Sequence, residues 1–400
     1  MTGLTDNKTR IFDQTGSRNF QAISDRVVGQ LKAYSLEAPP PHARKTLRKF
    51  AMPEAADFLK INQNTFRHYI STLRDRLPTG ELDKSNRRYF TLEEIHKIQR
   101  VLFEEGKTDP KIYPRRRGNE PCMVITCITP RQGAGTSTLT ANVAANLSLL
   151  GYRVLCGDLD PQAVMTNMFG VVPEWDLNTP TAYEMIRYSD PVPAREVVRK
   201  TNFPGIDLIP SSMNLMRFES DTPTQTGAFH TRIANAIEPV LPDYDVIIFD
   251  TPPQLSLAVT AALFASRGVL IPMNASMLDV RSLATFLSMA GNLMEVVETY
   301  DPDHRFNFVK HLITRYKATD KPQVQAAGFL RTALGDSVMT TEFVESTAVM
   351  DATAAKQTLF EVEPRGTNRK TYGRAIESIS RIAAEVEAEI FKVWGRTDGS

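Results

Sequence analysis

Cysteine is scarce in this 400-residue chain, which holds three: Cys122, Cys127 and Cys156. An odd number without paired spacing excludes a disulfide framework. Two of the three fall in apolar runs that read as core strands, so small buried thiols in a reducing compartment are expected. No His or Cys cluster has metal-ligand spacing. No apolar run approaches the ~20 residues a membrane span requires. The first residues are polar and carry Asp6 and Asp13, unlike a secretory signal. Together these absences predict a cytoplasmic protein with no membrane partner. Internal repeats and low-complexity tracts are also lacking. What remains is ordinary for a globular protein, with 42% hydrophobic and 23% charged residues and a length beyond one average domain.

Net charge is almost absent too, at +1, but the balance conceals an asymmetry. Residues 1–120 hold 23 Lys and Arg against 15 Asp and Glu, and the remainder holds 24 against 31. A basic front on an acidic body suggests an anionic partner for the front. Phe20, Ile23, Val27, Leu31 and Tyr34 recur at helical spacing, and Ala38-Pro39-Pro40-Pro41 ends that helix. The stripe suits either a dimer contact or packing on its own domain. Next, Pro53 to Lys60 predicts a short helix, and Asn62 caps a second from Asn64 to Arg76. Phe66, Tyr69, Ile70 and Leu73 form the inner face of that second helix. Arg67, His68, Thr72, Arg74 and Arg76 take outward or flanking positions, as a helix in a DNA major groove would present them. Asn86-Arg87-Arg88-Tyr89-Phe90 reads as a basic wing leading into another helix. A helical hairpin without nucleic acid is the competing reading. A proline-bearing linker, Glu105 to Pro121, contains Arg115-Arg116-Arg117, either phosphate contacts or a solvated charge run.

Beyond the linker, Met123 to Ile128 is an apolar strand, followed by Thr129-Pro130-Arg131-Gln132-Gly133-Ala134-Gly135-Thr136-Ser137-Thr138 and a helical run to Leu150. Strand, glycine loop and helix in that order form a phosphate cradle. Glycines let amide N–H groups turn inward, and the helix N-terminus adds partial positive charge. The usual pattern places a lysine after the last glycine, where this chain has Thr136. Alone, the loop could be turn chemistry. Two further strands change the balance. Val154 to Asp158 runs into Asp158-Leu159-Asp160-Pro161-Gln162, and Val246 to Phe249 runs into Asp250-Thr251-Pro252-Pro253. Carboxylates at the carboxyl edge of a parallel sheet stand where open α/β sheets bind ligands. With later strands at 206–209, 268–271 and 308–314, the expected fold is α/β, a doubly wound and mostly parallel sheet, preceded by an α-helical winged helix–turn–helix.

These motifs resemble the ParA/MinD family of deviant Walker-type ATPases, and within it the RepA partition proteins of repABC plasmids. Asp158 to Gln162 matches the family's Asp-x-Asp-Pro-Gln motif and Asp250 to Pro253 its second acidic motif. Ile271-Pro272 resembles the strand end near the base pocket. Phe329 to Arg331, Glu345 to Ala348, Lys356 to Leu359 and Tyr372 to Ala375 resemble the RepA C-terminal region. The loop departs from the family's Lys-Gly-Gly-x-Gly-Lys-[Ser/Thr]: both lysines are replaced, by Arg131 and Thr136, and Gln132 stands for a glycine.

The resemblance implies residues 1–44 as an N-terminal helix for dimerisation, 45–105 as a MerR-like winged DNA-binding domain, 106–121 as linker and 122–400 as a ParA-like nucleotide domain. It implies ATP or ADP with Mg²⁺ as cofactors. Arg131, Gly133, Ala134, Gly135, Thr136, Ser137 and Thr138 would surround the phosphates. Ser137 would ligate Mg²⁺, Asp250 would hold the ion through water, and Asp160 would orient the attacking water. Arg131 would take the place of the lysine that reaches across the family's dimer interface. DNA contacts would come from Arg67, His68, Arg74, Arg87 and Arg88. Implied partners are DNA, a ParB/RepB-type centromere-binding protein and a second copy of the chain, in a bacterial cytoplasm on nucleoid or plasmid. Without the lysine, hydrolysis is expected to be slow or absent. Two functions follow: a partition protein that also represses its own operon, or a DNA-binding regulator on a retired ATPase fold. An iron–sulfur reductase of the broader superfamily is set aside, because no cysteine follows Cys156.

Overall fold

The computed structural model describes residues 16–37, 45–172, 179–224, 228–362 and 369–396. It divides into two units, Met1–Lys45 and Thr46–Ser400. The described part of the first is one helix, α1 (Gly16–Glu37), with Phe20 and Val27 exposed and Ile23 intermediate. The side chains of Leu31 and Tyr34, and the Ala38–Pro41 breaker, lie outside the described residues.

The second unit begins with β1 (Phe50–Ala51), α2 (Met52–Phe58) and α3 (Gln63–Thr72). Pro53 enters the first turn of α2, where its missing N–H costs nothing. Asn62 caps α3, its side chain accepting from the Asn64 amide at 2.8 Å. The sequence predicts this helix as far as Arg76, but it ends a turn earlier. Leu73 leaves helical geometry, and Leu77, 4% exposed, folds into the core ahead of Pro78, which disfavours helix in the residue before it. Next come β2 (Glu81–Leu82), β3 (Arg88–Phe90) and α4 (Leu92–Glu104). The strands make a small antiparallel sheet in the order β1-β3-β2. Thr91 and Glu94 close a capping box on α4, with bonds of 3.2 and 2.8 Å. Phe66 of α3 packs against Phe90 with ring centres 5.3 Å apart, both rings fully buried. Such a side chain contributes about 1.5–3 kcal/mol by leaving water.

The segment joining this region to the main sheet is pinned rather than free. Phe103 stacks on Tyr113, the Arg116 amide donates to Asp245 at 3.0 Å, and its guanidinium reaches the Leu241 carbonyl at 2.9 Å. Arg117 pairs with Glu120, which also receives Arg396. Arg116 thus binds the body rather than solvent, while Arg117 pairs within its own segment.

The main sheet comprises β4 (Met123–Cys127), β5 (Val154–Asp158), β6 (Arg199–Lys200), β7 (Ile206–Ile209), β8 (Val246–Asp250), β9 (Gly268–Asn274), β10 (Phe308–Tyr316) and β11 (Phe343–Val344). Their order is β11-β10-β9-β4-β8-β5-β7-β6, parallel throughout except that β6 runs antiparallel at the edge. The central strands β4, β5 and β8 are buried along their whole length, as expected of near-continuous apolar runs covered by helices on both faces. The chain leaves β4 towards β8 and β5, then returns past β4 to β9 and β10, so the topological switch point lies at β4. Ile271-Pro272 falls in the middle of β9, paired with His311 and Leu312, and the strand end is Asn274. The ladder with β10 holds two further residues, Met273 and Asn274, extended beyond that pair.

Helix α5 (Thr136–Leu150) follows β4 and is buried on nearly every side. Its weak amphipathicity suits an internal helix. Gly151, at φ +107°, ends it in a Schellman turn: Tyr152 N–H bonds the Leu147 carbonyl and Gly151 N–H bonds that of Ser148. The helix Arg369–Val393 packs along α5, burying Ala375, Ile379, Ile382, Val386 and Ile390. One apolar cluster extends without a break from Phe66, Ile95 and Leu102 through Leu139, Leu147 and Tyr152 to Ile382. Cys127 and Cys156 are buried free thiols, and Cys122 is half-buried.

Candidate nucleotide site

The loop between β4 and α5 owes its path to two glycines. Gly133 and Gly135 sit at φ +93° and +75°, a region that side chains with a Cβ rarely adopt. A Cβ on either would meet no atom within 4 Å, so the requirement is conformational and the cradle is open outward. Thr129 steadies the approach, its hydroxyl donating to the Arg131 carbonyl at 2.9 Å. Among the described residues, the amides of Gly135, Thr136, Ser137 and Thr138 have no acceptor in the chain. Four free N–H groups at the positive end of a 15-residue helix make an anion site.

Facing that site are the two acidic strand ends. Asp158 and Asp250 are paired directly across β5 and β8, and both are fully buried. Asp158 is well served: one oxygen accepts from the Asp160 amide at 3.0 Å, the other from the Thr166 amide and hydroxyl at 2.8 and 2.7 Å. Burial nevertheless pushes its pKa up to about 7. Neither oxygen of Asp250 makes a hydrogen bond of normal length and angle, although the Ser137 and Thr140 hydroxyls are near enough to act on it. Burial first, then the charge of Asp158, push its pKa far above the usual carboxylate range, while the Ser137 and Thr140 hydroxyls oppose the shift. A buried, unpartnered carboxylate costs several kcal/mol and calls for a cation. The residues therefore fit a Mg²⁺ ion. Among the described residues no group of three or more His, Cys, Asp or Glu could hold a metal alone. A cation here would draw its remaining ligands from phosphate oxygens and water, as Mg²⁺ does. Asp160 is partly buried; one oxygen caps its own turn by accepting from the Gln162 amide at 2.9 Å, and burial raises its pKa.

Arg131 is exposed, and its guanidinium stands 3.9 Å from Asp279. Asp279 is buried in the first turn of the helix Met277–Tyr300 and accepts a hydrogen bond from Ser276. Thr136 is 7% exposed and fills the cation's usual position with a methyl and a hydroxyl. Ala134, Ser137 and Thr138 complete the cradle, the Thr138 hydroxyl lying 3.4 Å from that of Thr353.

The other singled-out residues lie apart from this site, in the 50–104 region. Arg67, His68 and Arg74 are exposed on and just after α3, with Arg67 donating to Asn64 at 3.0 Å. Arg87 is exposed in the β2–β3 turn, which Asp83 organises by accepting from the Ser85 and Arg87 amides. Arg88 is half-buried and its guanidinium donates to the Thr79 carbonyl. Arg76 is paired with Glu105. Three contributors were not singled out from sequence: Thr166, Asp279, and Glu219, whose carboxylate accepts from the Leu257 and Ala258 amides at 2.9 and 3.0 Å. Each is an ordinary residue in sequence, and only folding brings it to the site or the loop beyond Asp250.

A glycine loop feeding the N-terminus of a buried helix, beside acids at the ends of adjacent parallel strands, defines a P-loop protein of the ParA-like fold. A family model described as an AAA domain matches residues 122–300. A replication protein A of Rhizobium rhizogenes is 38% identical over 382 residues, covering 93% of this chain and 94% of that one. A solved structure described as a partition protein superposes with a TM-score of 0.63 at 17% identity, over 92% of this chain and 98% of its own. A plasmid partition protein of Borrelia burgdorferi B31 bound to AMPPNP superposes at 0.51 and 22% identity, over 66% and 99%. The chain belongs to the ParA/MinD-type family of partition ATPases, in the branch of the plasmid replication A proteins. Among the described residues no helix is long and apolar enough to cross a membrane.

Proposed function

We propose that the chain is a plasmid partition protein that binds Mg²⁺–ATP or Mg²⁺–ADP in the loop of α5 and DNA through a winged helix–turn–helix over residues 45–105. The observation that carries it is the pairing of four free amides with the unpartnered, buried carboxylate of Asp250. The amides would take phosphate oxygens, and Ser137 with Asp250 would hold the metal, whose contribution is to neutralise phosphate charge. Asp160 would position water, Arg131 would reach outward to a neighbouring phosphate, and α3 would enter the major groove with β2 and β3 as wing. Repression of its own operon and recruitment of a ParB/RepB-type centromere-binding protein follow from the family. Self-association is supported by exposed apolar side chains: Phe20 and Val27 on α1, Met213 beside Gln162, and Met277 and Leu278 beside the Arg131–Asp279 pair. A purified full-length chain that takes up neither Mg²⁺–ADP nor DNA would overturn the reading. A second reading, a DNA-binding regulator without turnover, is favoured by buried Thr136 at the cation's position. Nucleotide bound and released intact would decide for it.

The two wing arginines should behave differently. Arg87→Ala removes an exposed charge, so DNA affinity falls across sequences and the salt slope drops by about 1, with the fold unchanged. Arg88→Ala removes the bond to Thr79, so it lowers the thermal midpoint as well. Binding titrations at several salt concentrations, beside melting curves, separate the two; identical behaviour would refute the distinction.

A further inference from the structure

A cleft of about 560 Å³ opens at the amino edge of the main sheet, opposite the phosphate loop. Arg153 and Gly205 line it one residue ahead of β5 and β7, and residues of β6 and of the 3₁₀ turn Glu238–Asp243 complete the lining. Its size falls among small-molecule sites, which span about 300–1,000 Å³. Val198, Phe203, Ile206, Val240 and Tyr244 supply apolar surface, all but Val198 buried. The backbone wall is fixed. Gly205 holds φ +85°, and a Cβ there would fall 2.6 Å from the Ser148 hydroxyl and 3.1 Å from His96, whose Nε2 lies 2.7 Å from the Ser148 carbonyl. Three cations from three separate elements converge on the cleft: Arg153 after α5, Arg195 in the short helix Ala194–Val197, and Lys200 in β6. Two carboxylates, Asp207 and Asp243, accompany them. Behind the lining, buried Asp245 is shared by Arg153 at 2.7 Å and Arg116 at 3.9 Å, so one positive charge remains in excess. That sign runs against the acidic body, which holds 24 Lys and Arg against 31 Asp and Glu after residue 120.

We propose that this cleft binds an amphiphilic organic anion, one anionic group carried on a planar apolar body. The body would lie against Phe203 and Tyr244, and the anionic group would meet Arg195 and Lys200. Both cations can turn onto a ligand at little cost. Their side chains are 59% and 88% exposed, so their pairs with Asp243 and Asp207, each at 2.7 Å, contribute little. Lys200 donates to Asp207 and keeps two N–H groups free among the described residues. Asp207 does not depend on it, because the Tyr244 hydroxyl donates to the same carboxylate at 2.7 Å. Burial and that bond push the Tyr244 pKa up, so the hydroxyl stays protonated and adds no negative charge. Arg153 has a different task. It holds buried Asp245 through Nε and a terminal nitrogen, at 3.1 and 2.7 Å, and contributes its field while staying in place. Apolar surroundings strengthen each charge-assisted bond to the anion. The cleft and the phosphate loop lie at opposite edges of the sheet, so neither nucleotide nor DNA is needed to fill it.

The test uses the full chain and two fluorescent probes that share one body: anilinonaphthalene sulfonate, which is anionic, and N-phenylnaphthylamine, which lacks the sulfonate. In the wild type the sulfonate should bind at one saturable site, about 10-fold or more tighter than the neutral probe. Arg195→Met with Lys200→Met keeps much of both stems and removes both charges. It should weaken the sulfonate by about 10-fold or more and leave the neutral probe within about 2-fold. Val198→Trp should fill the cleft and exclude both probes; if melting curves show that it does not fold, the charge variant alone decides. Saturating Mg²⁺–ADP should leave sulfonate binding unchanged. A folded charge variant with wild-type sulfonate affinity overturns the proposal, as does equal affinity of the wild type for the two probes. Displacement by Mg²⁺–ADP would place the anion in the phosphate loop and also overturns it. A chain that binds the sulfonate in the cleft but neither nucleotide nor DNA overturns only the function proposed above.

Discussion

Thr136→Lys is expected to raise Mg²⁺–ATP affinity and turnover together, the rate by on the order of a hundredfold. Everything a lysine would serve is in place: left-handed Gly133 and Gly135, four free amides at the start of α5, Ser137, and the acids at the ends of β5 and β8. The native threonine is buried and brings no charge to the developing phosphoryl anion. Arg131, the nearest cation in sequence, is exposed and directed at Asp279. In the lysine variant, Asp160→Ala should abolish turnover and spare binding, since its proposed task is to position water. Steady-state turnover and equilibrium binding on the three proteins give the answer. Wild-type turnover equal to the lysine variant's would show that another group, with Arg131 foremost, already supplies the charge. Absence of binding in both would mean that the pocket no longer accepts nucleotide.

Asp250→Asn should stabilise the nucleotide-free protein and abolish its stabilisation by Mg²⁺–nucleotide. Burial raises the folded-state pKa of both Asp158 and Asp250 above the unfolded value, so the native pair binds more protons than the unfolded chain. Their contribution is therefore fully present below the unfolded carboxylate pKa and is lost as pH rises towards and through about 7, where Asp158 ionises. The wild type should melt at falling temperature as pH rises over that window. Asparagine cannot ionise, so the variant's profile should be flatter and higher near neutrality. In return it loses the ligand-linked gain, which for wild type is about 2.7 kcal/mol at a hundredfold excess over the dissociation constant. Thermal melts against pH, with and without Mg²⁺–ADP, test both halves. A variant with the wild-type pH profile would show that the pair is not what limits stability.

The elements that carry the site were legible because each rests on local chemistry. Short apolar strand runs, glycines between strand and helix, and aspartates after strands are short-range patterns, and β4, β5, β8 and α5 followed them. Asn62 as a cap and the inward face of α3 were legible for the same reason. Boundaries were less so: α3 stops at Thr72 because Leu77 is drawn into a core that exists only after folding. Arg88 looked like the twin of Arg87, yet its guanidinium serves the Thr79 carbonyl while Arg87 faces water. Arg87 lies in the turn and Arg88 opens β3, and the composition of a wing does not say which of the two stays wet.

The sequence by itself determined that this chain would build a phosphate loop lacking its lysine, at the switch point of a parallel sheet behind a basic, helical front. Those properties follow from residue identity and spacing within a few turns of chain. Tertiary structure alone decided that Asp158 and Asp250 would lie side by side, one satisfied and one unpartnered, because register between strands 92 positions apart is set by packing of the whole sheet. It also decided that the α2–α4 region would be bolted to the main sheet's helices. His96 and Ser148 are 52 residues apart, Lys60 and Glu387 are 327 apart, and no local pattern encodes contacts at that separation.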